Sequence, residues 1–352
     1  MPITVKEDVP LAPFTTLGVG GPARYFIEAR EEGQLLEALD LADAREWPVF
    51  ILGGGSNLLV SDEGYPGLVV KVAMKGIRFD EAGGAEASAG EEWDTFVQLC
   101  VDRNFAGVEC LSGIPGTVGG TPIQNVGAYG QDVGQTVTSV RVLDRISKTI
   151  KSLGADECGF SYRSSRFNTG NSGRFIILSV AFSLKPGGRA GLEYRELAKR
   201  FAARGTPPAI AEVRQAVLEI RAAKGMLIRP GDPDCRSAGS FFKNPMVSGE
   251  RASRIEQLAR ERGLLLPEER LPGFSAENEN IKLPAAWLIE KSGFSRGYAR
   301  GRAGLSTKHT LAIVNRGGAT AGEILGLMRE VQSGVNATFG IDLQPEPVFV
   351  GF

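Results

Sequence analysis

Apolar positions change period along the chain. Leu35, Leu36, Leu39 and Ala42 recur at helical spacing within 31–46, which predicts an amphipathic helix. Around it lie short apolar runs, at 26–29, VFIL at 49–52, LLV at 58–60 and LVVKV at 68–72, bounded by glycine and turn residues and therefore read as strands. From 76 to 185 a second mixed stretch follows. Trp93, Phe96, Val97, Cys100 and Val101 form one apolar face over 91–103, and Ser88 with Glu91 has the spacing of a capping box just before it. VTSVRVLD at 137–144 and FIILSVAFSL at 175–184 predict two longer strands, an order that suggests α+β rather than regular βαβ winding.

Val213, Ala216, Val217 and Ile220 predict one later helix, and Ile324, Leu325, Met328, Val331 and Val335 another. Between the second stretch and these, AARGTPPA at 202–209 carries Gly205 and the pair Pro207-Pro208. Those residues break a helix and predict a domain boundary there. The apolar run at 175–184 falls well short of the roughly 20 residues a bilayer span needs.

Composition narrows the chemistry. The 352 residues are enough for several cores. Lys plus Arg number 40 against 41 Asp plus Glu, so no basic excess awaits a phosphate backbone, and nucleic acid is not expected as a principal partner. Four cysteines lie far apart without a Cys-x-x-Cys pair, and no basic, apolar and cleavage-site series opens the chain. A reduced, cytoplasmic protein is expected, with no metal site and no membrane or obligate protein partner. His309 is the single histidine, which removes Ser-His-Asp hydrolysis, His-zinc sites and most histidine acid–base schemes. In its TKHTL setting it reads as a packed or surface residue. Any catalysis would move protons with Ser, Tyr, Lys, Arg and carboxylates, and an organic cofactor would supply the electron chemistry.

The 46 glycines have no collagen period and must shape folded backbone. One cluster, GGGSN at 53–57, opens like a dinucleotide fingerprint, but Leu58 stands where the third glycine belongs and a strand follows where a helix should start. There is no GxxxxGK[ST] phosphate loop either. The richest cluster, SGIPGTVGGTPIQNVGAYGQDVG at 112–134, has glycine at 113, 116, 119, 120, 127, 130 and 134. Closely spaced glycines let backbone N–H groups surround an anion such as a pyrophosphate, and a tightly turning structural loop is the other reading. Asn57, Gln124, Asn125 and Tyr129 are available to meet a heterocycle.

With these two loops the chain becomes recognisable. PFTTLGVGGPARYF, ILGGGSNLLV, GIPGTVGGTPIQNVGAYG, FSYRSSRF, SAGSFFKNP and LQPEPVFVG together resemble the UDP-N-acetylenolpyruvoylglucosamine reductase family, in family order from about residue 10 to 352. The resemblance extends to the longer subtype with a substrate-loop tyrosine. It implies an α+β fold, with a two-subdomain FAD-binding region of the vanillyl-alcohol-oxidase-like type followed by an α+β substrate-binding domain. The expected divisions are 1–75 and 76–208 for the two FAD-binding subdomains and 209–352 for the substrate domain, whose last residues return to the active site.

The implied activity is NADPH-dependent reduction of UDP-N-acetyl-3-O-(1-carboxyvinyl)-glucosamine to UDP-N-acetylmuramate through bound FAD, in peptidoglycan precursor synthesis. A protein doing this must stabilise enolate-like charge beside a carboxylate and deliver one proton. The resemblance assigns the carboxylate to Arg163, the proton to Ser240 and polarisation of the reacting end to Glu346. For FAD it implies Gly53, Gly54, Gly55, Ser56, Asn57, Leu58, Gly113, Ile114, Pro115, Gly116, Gly119, Gly120, Gln124, Asn125, Gly127 and Tyr129. For the UDP-sugar it implies Tyr194, Arg221, Lys224 and Asn244. Arg221 and Lys224 fall at i and i+3 near a helix C-terminus, where they suit either phosphate oxygens or the helix dipole. The segment 225–239 is longer than in compact family members. Two other readings stay open at this point: an FAD-dependent sugar or alcohol oxidase on the same cofactor fold, and a non-catalytic nucleotide-binding protein that keeps the glycine loops.

Overall fold

A computed structural model describes residues 2–170, 172–275 and 279–352. The chain divides into two compact units. The first comprises residues 1–10, 22–55 and 65–223, the second 11–21, 56–64 and 224–352.

Two large sheets dominate the described residues of the first unit. In the four-stranded one the order is Lys6–Pro10, Pro22–Ala29, Tyr65–Val72, Val49–Leu52, with the first pair antiparallel and the others parallel. The helix Glu32–Ala44 makes the crossover between the strands at 22–29 and 49–52, the connection that parallel pairing requires. Leu68, Val69 and Val70 are all buried, so this central strand is covered on both faces. The second sheet is antiparallel throughout, ordered Thr149–Gly154, Val137–Asp144, Phe175–Ser183, Gly84–Ser88, Ile77–Phe79. Its character matches the α+β expectation. One apolar core, with Trp93, Phe96 and Phe182 at its centre, serves both sheets.

The helix expected at 91–103 runs Trp93–Asp102 and buries all five residues of its apolar face. The capping box does not form. Ser88 ends a strand, and the Glu91 carboxylate accepts instead from Gly76 N–H at 2.6 Å, with Lys75 nearby at 3.3 Å. Sheet pairing of Ser88 outcompetes the local cap.

The segment after the prolines at 207 and 208 is helical. Helix Ile210–Ala223 belongs to the first unit, where Val213, Ala216, Val217 and Ile220 cluster with Cys110, Tyr129 and Leu197. Arg214 fastens it, donating to both Asp94 oxygens at 2.7 and 2.9 Å and to Gln98 Oε1 at 2.7 Å. Burial pushes the Asp94 carboxyl up, but Arg214, the Gly113 N–H and the charge of Arg221 outweigh it and leave it below the usual range. A depressed folded-state value stabilises above the unfolded value, near 3.9, and the benefit disappears as pH falls through the folded value. Asp94→Asn should therefore cost about 1–3 kcal/mol at pH 7, a figure discounted for partial exposure. In urea titrations the gap from the parent should narrow as pH is taken below the unfolded value, near 3.9.

The second unit gathers three chain segments around its own core, in which Leu17, Val19 and Leu59 pack with Phe241, Phe242, Leu288 and Val331. Its long helix, Ala321–Phe339, buries Ile324, Met328, Val331 and Val335 and starts at a capping box of Thr320 and Glu323. Asp62 adds to that start by accepting from Ala321 and Gly322 N–H at 2.7 and 2.9 Å. Strand Leu58–Val60 pairs in parallel with Val348–Val350. Among the described residues no helix is long and apolar enough to cross a membrane.

Candidate active site

In the first unit the two glycine clusters lie against each other. A Cβ on Gly54 would sit 2.5 Å from Gly116 Cα and 2.9 Å from Thr117 N, and one on Gly53 would sit 3.2 Å from Thr117 Oγ1. The 112–120 loop is held from the other side by the start of the Trp93 helix. Trp93 N–H donates to Gly116 O at 3.1 Å, Val118 N–H to Glu91 O at 2.8 Å and Gly119 N–H to Ala89 O at 2.9 Å. Thr117 Oγ1 is buried and has no hydrogen-bond partner among the described residues. A buried hydroxyl left without a partner costs about 1–3 kcal/mol, so a ligand oxygen beside Gly53 and Gly54 would complete it. Orphaned hydroxyl and side-chain-free glycines together fit a phosphorylated cofactor. Thr117 lies within GIPGTVGG, but a threonine there carries no signal of its own in the sequence.

The adjacent glycines 119 and 120 have different roles. A Cβ at Gly119 would lie 2.5 Å from that of Ala89, while one at Gly120 would meet nothing within 4 Å. Gly119→Val should consequently lower both melting temperature and flavin content. Gly120→Val should spare melting temperature, so any flavin it loses, measured by the visible absorbance of purified protein, reports cofactor contact alone.

The remainder of the cluster is conformationally demanding. Asn125, Tyr129 and Arg163 all have φ between 44° and 55°, a region non-glycine residues seldom occupy without a function or a compensating contact. Those contacts are present. Asn125 donates to Ser161 O at 3.1 Å and accepts from Gly134 N–H at 2.9 Å, while Asn168 Nδ2 donates to Arg163 O at 3.1 Å. The turn carrying Arg163 is thereby clamped, and a Cβ on Gly127 would lie 3.5 Å from Arg163 Nη1. Ile114, Pro115 and Gln124 are half-buried in the same region.

Tyr129 is buried and packs edge-on against Tyr194 at 5.2 Å. Arg221 is buried too, donating to Gly113 O at 3.2 Å and hydrogen-bonding Tyr129. Burial pushes its guanidinium down, opposed by Tyr129 and Asp94. Arg221 and Lys224, expected at i and i+3 near a helix C-terminus, fall on either side of the helix end. The helix stops at Ala223, and Lys224 falls in the second unit.

In that unit Ser240 and Glu346 are brought together. Ser240 is half-buried, and its hydroxyl makes no hydrogen bond among the described residues. It is followed by Phe241 and Phe242, both fully buried. Phe241 N–H donates to Leu311 O at 2.8 Å, Glu346 N–H donates to Phe241 O at 2.9 Å, and Lys243 N–H donates to Gln344 O at 2.9 Å. Asn57 Nδ2 reaches Glu346 O at 3.1 Å, and Val348 N–H reaches Asn57 O at 2.9 Å. Two of the expected positions, Asn57 and Glu346, thus share one hydrogen-bond network with Phe241, the neighbour of Ser240. Ser56 O accepts from Thr16 Oγ1 at 3.3 Å, and Leu58 begins the strand beside Val348. Asn244 Oδ1 accepts Ala285 N–H at 2.9 Å and fixes the start of a helix.

The long 225–239 segment is tied down at Asp232 by Lys308 at 2.6 Å and at buried Asp234 by Thr307 N–H at 3.2 Å. His309 is pushed down to about 4 by burial and the Lys224 charge, which favours a neutral imidazole at pH 7.

A family model for an FAD binding domain matches residues 23–152, and one for the C-terminal domain of UDP-N-acetylenolpyruvoylglucosamine reductase matches 232–350. The reductase of Thermobifida fusca is 46% identical over 100% of this chain and 99% of its own. The chain belongs to the UDP-N-acetylenolpyruvoylglucosamine reductase family. The reductase of Nocardia farcinica is 47% identical over 99% of this chain and 90% of its own. The crystal structure of the reductase from Thermus caldophilus covers 99% of both chains with a TM-score of 0.67 at 28% identity. The chain thus joins an FAD binding domain to the family's C-terminal domain.

Proposed function

We propose that the protein is an FAD-containing oxidoreductase that uses NADPH to reduce UDP-N-acetyl-3-O-(1-carboxyvinyl)-glucosamine to UDP-N-acetylmuramate, acting in the cytoplasm in peptidoglycan precursor synthesis. The single observation that carries the reading is the free hydroxyl of Ser240 one residue from the Phe241 carbonyl that fixes Glu346. Such a pair suits a reaction that needs one proton and has no histidine to give it. FAD, when bound, supplies hydride transfer from the nicotinamide to the enolpyruvyl double bond.

The remaining work falls to the chain. Gly53, Gly54, Gly116 and Thr117, with the rest of the 112–129 loop, would hold the cofactor through main-chain N–H groups and the Thr117 hydroxyl. Ser56, Asn57 and Leu58 would continue that contact. Arg163 would fork onto the substrate carboxylate and stabilise the charge that develops there. Ser240 would give its hydroxyl proton to the adjacent carbon, with Glu346 orienting the reacting end. Tyr194, Lys224 and Asn244 would face the diphosphate and sugar. Arg221, committed to Gly113 and Tyr129, would act by holding the cofactor loop. Residues 1–75 and 76–208 would form the two FAD-binding subdomains, and most of 209–352 the substrate domain.

The test begins with colour. Purified protein should be yellow, should bleach anaerobically with NADPH, and should regain colour when the enolpyruvyl sugar nucleotide is added. A preparation that bleaches but recovers only with air would favour an oxidase.

A further inference from the structure

Glu109 is fully buried, and donors surround its carboxylate. Gly107 N–H reaches Oε2 at 2.7 Å, and Gln131 Nε2 and Gly191 N–H reach Oε1 at 2.8 and 2.9 Å. Among the described residues no cation contacts it. Burying a carboxylate in this way is costly unless its lone pairs are filled, and three donors fill them. The setting accepts only a carboxylate, because an amide would turn an N–H toward a donor.

The next residue completes a grip. Cys110 Sγ donates to Gly191 O at 3.4 Å, and Cys110 N–H donates to Gln131 Oε1 at 2.8 Å. Gly191 is therefore held at its N–H by Glu109 and at its carbonyl by Cys110. A Cβ there would crowd Glu193 Oε2 at 3.0 Å and Gln131 Nε2 at 3.1 Å. From this point the chain runs along Gly130, whose own Cβ would stand 3.2 Å from that of Glu193, to Tyr194. Tyr194 immediately precedes helix Arg195–Phe201, packs its ring on Tyr129 and remains 38% exposed.

We infer that Glu109 and Cys110 are positioning residues for nucleotide-sugar binding, fixing Gly191 so that the phenol of Tyr194 is presented to the diphosphate. The inference rests on the reading of Tyr194 as a substrate residue. A charged buried acceptor on two backbone donors holds geometry more firmly than packing does. It acts three residues from the group it serves.

The test uses holoenzyme and four variants, Glu109→Gln, Cys110→Ala, Gly191→Ala and Tyr194→Phe, plus the Glu109→Gln/Tyr194→Phe double. Glu109→Gln and Gly191→Ala should raise KM for the enolpyruvyl sugar nucleotide about 10-fold, the loss of one charge-assisted hydrogen bond. Their kcat should stay within about twofold, and anaerobic bleaching by NADPH should be unchanged. The double variant should be no worse in KM than Tyr194→Phe, because the carboxylate works through the tyrosine. If Glu109→Gln does not fold, Gly191→Ala and Cys110→Ala carry the test. A normal KM in Tyr194→Phe overturns the underlying reading. A raised KM there, with normal KM in the other variants or additive losses in the double, overturns this inference alone.

Discussion

Ser240→Ala is expected to slow reduction of the enolpyruvyl sugar about 10²- to 10⁴-fold, the usual contribution of a positioned proton donor, while bleaching of the flavin by NADPH proceeds at the parent rate. The split follows from where the residue sits. Its hydroxyl is outside every hydrogen bond among the described residues, and the flanking backbone is fixed by Leu311 and Glu346 rather than by the side chain. Removing one oxygen leaves the buried Phe241 and Phe242 in place, so the variant should fold normally and bind the sugar nucleotide. Anaerobic stopped-flow absorbance separates the half-reactions. Equal slowing of both would remove Ser240 from the proton step.

Gly54→Val should give a colourless protein. The added carbons would enter the Gly116 backbone, which is 2.5 Å from even the first of them, and backbone cannot swing aside as a flexible side chain can. The two glycine loops would be forced apart at the place where Thr117 is poised to donate. A flavin-to-protein ratio below about a tenth of the parent's is expected, since a spread of even 1 Å undoes a constellation built to about 0.5 Å. Addition of free FAD should not restore the colour. A yellow Gly54→Val protein would mean that the cofactor lies elsewhere.

Much of this molecule is legible in its sequence because local periodicity and local chemistry agree. The helices at 32–44, 93–102, 210–223 and 321–339 and the strands at 49–52, 58–60 and 137–144 appear where apolar spacing places them. The two glycine loops and the Ser240 and Glu346 motifs were readable as short strings, each needing no distant information. What escaped depends on long-range competition. Ser88 and Glu91 had the spacing of a cap, but a strand and a neighbouring N–H claimed them. The prolines at 207 and 208 announce a new helix but not that it packs backward onto Cys110 and Tyr129. A signal for that was present. Arg214 and Arg221, two turns apart, share the face of Val217, and both are buried, so the helix carries cations on an inward side that simple amphipathic reading treats as outward. Glu109 gave no warning, because its donors arrive from 107, 131 and 191.

The second unit's assembly from residues 11–21, 56–64 and 224–352 sets a timetable for the ribosome. Residues 1–223 supply every strand of both large sheets before residues 224–352 are made, so the first unit can mature while the chain is still emerging, as domains commonly do. Leu17, Val19 and Leu59 cannot. Their partners are made much later, and Leu58–Val60 waits for Val348–Val350. Until then these early apolar segments are exposed, and a nascent chain stalled before the final strand should be the form that chaperones and proteases capture.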